Sequence, residues 1–246
     1  MNDYELKLFA GFPLFDKSVG LVNHYSLNDI AEKGESNYRL FINLISIDKN
    51  SFSNLENKDK LNELSNFELL LLSIIPNNNL FEIFLSNLKF ILKKDIEFDE
   101  KKCCFIIDGN KSLNKNNYDD FISLVKLLNC VIDTEEFLTA QQLANANSLV
   151  KEYLLKREMA NKKVAEQKKL KSENNNENLT LTDLISIFLI GNSTVSYKDV
   201  WDLPFYAFNV LFSRMHLFYE FDVNVQVLLT GAKGVKLRDW TGKIPR

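Results

Sequence analysis

The residues able to do chemistry are few, and their spacing points away from catalysis. There are three cysteines, Cys103, Cys104 and Cys130, in the apolar contexts KCCFIID and LLNCVID. A reactive thiol needs an activating base or neighbouring charge, whereas free cysteine in an apolar run behaves as a small hydrophobe, so buried reduced thiols are expected. Structural zinc takes four ligands, but the chain has no C-x2-C pair and only two histidines, His24 and His216. Neither histidine sits in a metal or nucleophile arrangement, and both read as surface or partly buried polar residues. Gly231 and Gly234, in TGAKGVK, lack the frame of a phosphate-cradling loop; a helix C-cap followed by a turn is expected there. The acidic pairs Asp119, Asp120 and Glu135, Glu136 fall where helices should begin, a place the macrodipole favours for negative charge. The sequence thus predicts no catalytic residue, no metal and no cofactor, and an enzyme is the least expected class.

With 246 residues, 46% hydrophobic and 26% charged, the chain can bury one sizeable core or two smaller ones. No run approaches the roughly 20 apolar residues of a membrane span, and MNDYELKLFAGFPLF has no basic leader or small-residue cleavage site. A soluble cytosolic protein without membrane contact is expected. Thirty Lys+Arg against 33 Asp+Glu give a net charge of -3, which disfavours a general grip on nucleic acid. The basic segment 151–171 is the local exception, and it reads as a solvated helix face.

Residues 1–25 carry the apolar runs YELKLFAGF and VGLVNHY around Gly11, Pro13 and Gly20, suggesting two short strands or extended segments joined by a turn. Ser26 with Asp29 heads SLNDIAEKGESNYRLFINLISI, where Leu27, Ile30, Tyr38, Phe41, Ile42 and Ile45 recur at helical spacing, giving two helices broken near Gly34. Ser65 can cap a buried helix containing Phe67 to Ile75, which Pro76 ends; residues 80–92 continue as a helix-like or mixed segment. IEFD and CCFIID, separated by EKK, read as a β-hairpin, and Asn117 or Asp119 opens an amphipathic helix through Phe121, Leu124, Val125 and Leu128.

From Thr139 to Lys171 runs the longest stretch without glycine or proline, apolar on one face in its first half and polar all round from Lys162, followed by the polar SENNNEN. The expected organisation is a mostly helical α+β domain over 1–138 with a small antiparallel hairpin, a long helix and polar linker over 139–178, and a helical domain over 179–246. In this last part Thr180 or Thr182 caps a first helix, Ser196 with Asp199 a short second one, and Pro204 starts a long helix, or two, through Leu229. Its aromatic load has two readings: a core rich in aromatics, or a core part of which forms a partner-binding groove. The candidates for such a groove are Tyr197, Trp201, Phe205, Tyr206, Phe208, Phe212 and, in the tail KLRDWTGKIPR, Trp240. The tail can dock a neighbour or lie back on its own domain.

The stretches YSLNDIAEKGESNYRLFINLISI, LSNFELLLLSII, IEFDEKKCCFIID and SYKDVWDLPFYAFNVLFSRM with RDWTGKI together resemble the tail assembly chaperone-like proteins of long-tailed bacteriophages and related prophage elements. Tyr197, Val200, Trp201, Leu203, Pro204, Tyr206, Phe208 and Trp240 form the most specific part of the pattern. The resemblance implies a non-catalytic protein that binds the tape measure protein, a very long helical polypeptide, and helps recruit tail tube subunits around it in the host cytoplasm. It also implies a first domain joined by a linker to a second, in some members through a programmed frameshift. It carries over no invariant site. The alternative is a structural subunit of the tail or baseplate that buries its long helix against neighbouring virion subunits and stays in the particle. Self-association is open in either case.

Overall fold

Ser26 opens the first run of helices in the computed structural model, which describes residues 3–47, 63–131, 179–232, 234–237 and 239–242. The Ser26 hydroxyl accepts from the Asp29 amide while Asp29 reaches back to the Ser26 amide at 2.7 Å, the reciprocal cap that the spacing predicts. Two helices follow, α2 (Leu27–Lys33) and α3 (Glu35–Ile45), and the break falls at Gly34, whose φ of 87° lies where a side chain is disfavoured. Ser65 and Glu68 repeat the same cap at α4 (Asn66–Ile74). Asn77 then caps α5 (Asn78–Leu92), so the segment left as helix-like or mixed is one continuous helix.

The hairpin forms as expected, and a third strand extends it: β3 (Ile96–Asp99), β4 (Cys104–Ile107) and β5 (Lys111–Leu113) make an antiparallel sheet in that order. Phe98 pairs with Phe105, which pairs in turn with Leu113. Helix α6 (Tyr118–Leu128) follows with Asp119 and Asp120 in its first turn; Asn117 precedes it, but its side chain is engaged with Asn114 and Ser112 rather than with the helix. The N-terminal run departs from the sequence expectation. YELKLF winds into α1 (Asp3–Phe9), burying Leu8 while Leu6, Lys7 and Phe9 face water, and the two strands are the shorter β1 (Leu14–Asp16) and β2 (Gly20–Val22). Asp16 fixes their turn by accepting from the amides of Ser18 and Val19.

The core lies among α2 to α6 and the sheet, and two buried asparagines are fitted into it. The Tyr25 hydroxyl donates to Asn87 Oδ1 at 2.6 Å, and Tyr38 donates to Asn129 Oδ1 at 2.9 Å. Each carboxamide nitrogen donates to the carbonyl four residues back, Ile83 and Val125 respectively. Both amides are thereby satisfied on both ends, as burial requires. Burial pushes the two tyrosine hydroxyls well above their ordinary range.

The chain divides into two units, one made of Met1–Ile132 with Phe188–Arg246 and the other of Asp133–Ile187. Residues 188–246, which the sequence reading assigns to a separate helical domain from 179 onward, thus cluster with the N-terminal part. The proposed long helix and linker at 139–178, with Glu135 and Glu136, lie outside the described residues. Helix α7 (Leu181–Gly191) is capped by Thr180 with Asp183. A 3₁₀ turn, Asp199–Asp202, follows behind Ser196, and α8 (Phe205–Leu229) runs unbroken for 25 residues.

The joint between the two ends of the chain is made by backbone. Leu27 N donates to Leu203 O at 3.1 Å and Phe205 N to Tyr25 O at 2.7 Å, a single antiparallel bridge centred on Ser26 and Pro204. Val200 is fully buried where the 3₁₀ turn meets α2, and the Phe205 ring sits edge-on to Tyr38 at 5.4 Å. At Gly11 the fit is close: φ is +74°, and an added Cβ would stand 2.6 Å from Pro204 Cγ. Gly11→Ala therefore combines a disfavoured backbone with a clash against a rigid ring, together about 2–4 kcal/mol. A lower urea midpoint at unchanged slope is the expected reading.

The cysteine expectation holds for one residue in three. Cys104 is buried, and burial raises its thiol pKa; Cys130 is half-buried, and Cys103 is exposed. Cys103 sits at φ 48° in the β3–β4 turn after Asp99 has accepted from the amides of Lys101 and Lys102, so the turn carries its side chain outward. None of the three is in a disulfide.

Candidate partner-binding surface

Helix α8 is the element whose sequence and surroundings disagree most. Pro204 supplies a fixed φ ahead of its first turn, and the helix then reads FYAFNVLFSRMHLFYEFDVNVQVLL, with large apolar residues on every side and Asn209, Ser213, Arg214, His216, Glu220, Asp222, Asn224 and Gln226 scattered among them. A helix with no continuous polar face is ordinarily covered by other protein along much of its length. Here only Tyr206, Ala207 and Phe208 are buried, and none of residues 209–229 is. Val223 and Leu229 are 55% and 82% exposed, and Phe218, Tyr219 and Val227 are exposed with them. At about 1.5 Å per residue, the unburied part is about 30 Å long. No helix among the described residues is long and apolar enough to cross a membrane.

The seven aromatic candidates separate into three groups. Tyr206 and Phe208 are core residues, with Phe208 edge-on to Phe188 of α7 at 5.4 Å, so neither presents its ring to a partner. Trp201, Phe205 and Phe212 are half-buried: Trp201 meets Tyr197, Phe205 meets Tyr38, and Phe212 lies against Phe208 and His216. Tyr197 is exposed, at the mouth of the 3₁₀ turn. Trp240 is half-buried, and its ring stands edge-on to Phe218 at 5.1 Å, so the described residues 239–242 of the tail lie back on α8. Arg238, Lys243 and Arg246 fall outside the described residues.

The end of α7 is seated on α8 through Gly191. The Tyr219 hydroxyl donates to Gly191 O at 2.8 Å, and a Cβ on Gly191 would stand 2.6 Å from Met215 Sδ. At the far end, Gly231 has φ 87° one residue past the C-cap Thr230, which is the helix stop expected there.

Phe218, Tyr219 and Phe221 belong to the aromatic load that the sequence shows, but the aliphatic residues of 209–229, Val223, Val227 and Leu229 among them, are what sequence reasoning left out of the site. The signal was present in a 25-residue helix with apolar residues on every side, but whether such a helix is enclosed by its own chain is a tertiary fact. A second exposed apolar group was also missed: Leu6, Phe9, Phe12, Phe15 and Leu21. Phe15 and Leu21 are paired across β1 and β2, and period-two alternation cannot say which face of a two-stranded hairpin meets water.

No group of three or more His, Cys, Asp or Glu among the described residues could hold a metal ion. His24 is used structurally: its Nε2 donates to Phe12 O at 2.8 Å, leaving Nδ1 unprotonated and buried with no partner among the described residues. Burial holds its pKa below the ordinary histidine range. Since the unfolded chain then takes up a proton first, stability is full above about pH 6.5 and falls as pH drops toward the lower folded value. Urea titrations at pH 7.5 and 5.5 should show a smaller pH difference for His24→Gln than for the parent.

No curated protein and no solved structure matches the chain. Residues 171–245, which carry α7, α8 and the tail, match the family model described as the YomV second domain, a phage-derived family.

Proposed function

We propose that this protein is a non-catalytic assembly chaperone of a long-tailed bacteriophage, holding the tape measure protein and helping bring tail tube subunits to it in the host cytoplasm. The observation that carries this reading is α8, whose residues 209–229 carry large apolar side chains on every side, all of them half-buried or exposed. A long helical client offers a matching partner, because helices recognise one another by laying apolar stripes side by side. The match of residues 171–245 to a phage-derived domain supports the setting.

Co-expression with the tape measure protein tests it. A soluble complex is expected, and Val223→Glu with Val227→Glu should remove it at unchanged melting temperature, since both side chains are exposed in the free protein. Separate elution with no rescue of tape measure solubility would sink the proposal. Mass spectrometry of purified particles separates the alternative, because a tail or baseplate subunit is present there in stoichiometric amount and a transient chaperone is not.

A further inference from the structure

One flank of α8 is already occupied by the chain itself. Arg214 Nη1 donates to the carbonyls of Trp240 and Gly242, the latter at 2.7 Å, while the Trp240 ring stands edge-on to Phe218 one turn further along the helix. Asp239 shapes this segment before it docks, accepting from the Thr241 amide at 2.9 Å and from the Thr241 hydroxyl at 2.6 Å. Those are local bonds that the segment keeps wherever it lies. Among the described groups, what ties it to α8 is the Arg214 guanidinium, which also attracts the Asp239 carboxylate, and one ring pair, with Asp239 and Thr241 exposed and Trp240 only half-buried. A segment held by a few partly exposed contacts belongs to the part of a fold that opens at low free energy.

We propose that residues 239–242 are a releasable strap, seated on α8 at Arg214 and Phe218 and displaced when an apolar helix takes that flank. The strap rests on α8 being the client-binding face. Its chemistry also narrows the client. An incoming apolar side chain can replace Trp240 against Phe218, but a helix has no free carbonyls along its length to replace those of Trp240 and Gly242. Arg214 must then meet either a carboxylate or the open carbonyls of a helix C-terminus. A client helix with an acidic residue or its C-terminal end beside an apolar position satisfies both groups at once.

The test uses the full chain with Trp201→Phe, which leaves Trp240 as the sole tryptophan of the two in the sequence. Arg214→Gln removes the charge-assisted bonds and should shift the ratio of open to closed strap on the order of tenfold. Acrylamide should then quench Trp240 more strongly, and the apolar dye bis-ANS should bind in greater amount at unchanged helical content. Trp240→Ala, which leaves Arg214 in place, should raise dye binding in the same way and serves if the first variant fails to fold. Dye binding unchanged in both variants would overturn the strap. So would a tape measure complex equally tight in parent and variants, where tightening by up to about tenfold is expected. If dye binding rises in both variants and no tape measure complex forms with any of them, the strap stands and the client assignment falls.

Discussion

A chain ended at residue 178 is expected to lose the cooperative unfolding transition of residues 1–132. The missing part supplies Val200, which is fully buried at α2, the Phe205 ring on Tyr38, and the start of α8 against α1. It also supplies the acceptor for Leu27 N and the donor for Tyr25 O. Each large apolar side chain withdrawn from a core removes about 1.5–3 kcal/mol, and two stranded backbone groups add about 1–3 kcal/mol each where water cannot reach them. The sum is on the order of 5 kcal/mol or more, comparable with the whole stability of a typical domain. Circular dichroism should show retained helix with a broad, shallow melt, and near-ultraviolet signals from the buried tyrosines should be weak. A sharp melt within a few degrees of the full chain would show that the bridge at Ser26 and Pro204 contributes little.

The second large effect is expected at Phe105. It lies at the centre of the three-stranded sheet, is fully buried, and has ring neighbours in Phe98 at 5.0 Å, Phe84 at 5.5 Å, Phe67 at 6.2 Å and Phe81 at 6.3 Å. Those rings come from β3, α5 and α4, so the space left by Phe105→Ala is walled by three elements and cannot collapse by moving one of them. A loss of about 3–5 kcal/mol follows. Phe105→Leu keeps most of the volume and should cost less than half as much. Denaturant unfolding of the two variants checks the ratio, and equal losses would place the effect in strand preference rather than in the cavity.

What could be read from the sequence was whatever is encoded within four or five residues. The caps of Ser26 with Asp29, Ser65, Thr180 and Ser196 with Asp199 form where their spacing places them, and Gly34 separates two helices because its φ is positive. The β3–β4 turn follows from EKK between two β-forming runs. Strand β5 was missed because Lys111–Leu113 offers three residues in a polar context, and it is a strand by virtue of lying beside β4. The run YELKLF was misjudged because six residues sample a period of two and one of 3.6 almost equally. The return of residues 203–205 to residues 25–27 has no local signature at all. For the same reason the aromatic candidates split as they do: Tyr206 and Phe208 face the core, whereas Tyr197 and the later turns of α8 do not.

The bridge between Ser26 and Pro204 also sets a schedule. Between the addition of Tyr25 and that of Phe205 a ribosome adds roughly 180 residues, ~10–40 s at ~5–20 residues per second. From the completion of α3 until the end of that interval the nascent chain holds α2 and α3 with the sites for Val200 and Phe205 unfilled. The newborn chain is therefore stickiest before Phe205 is added, and the surface around residues 25–45 must be shielded, or kept from docking elsewhere, until residues 200–205 emerge to close it.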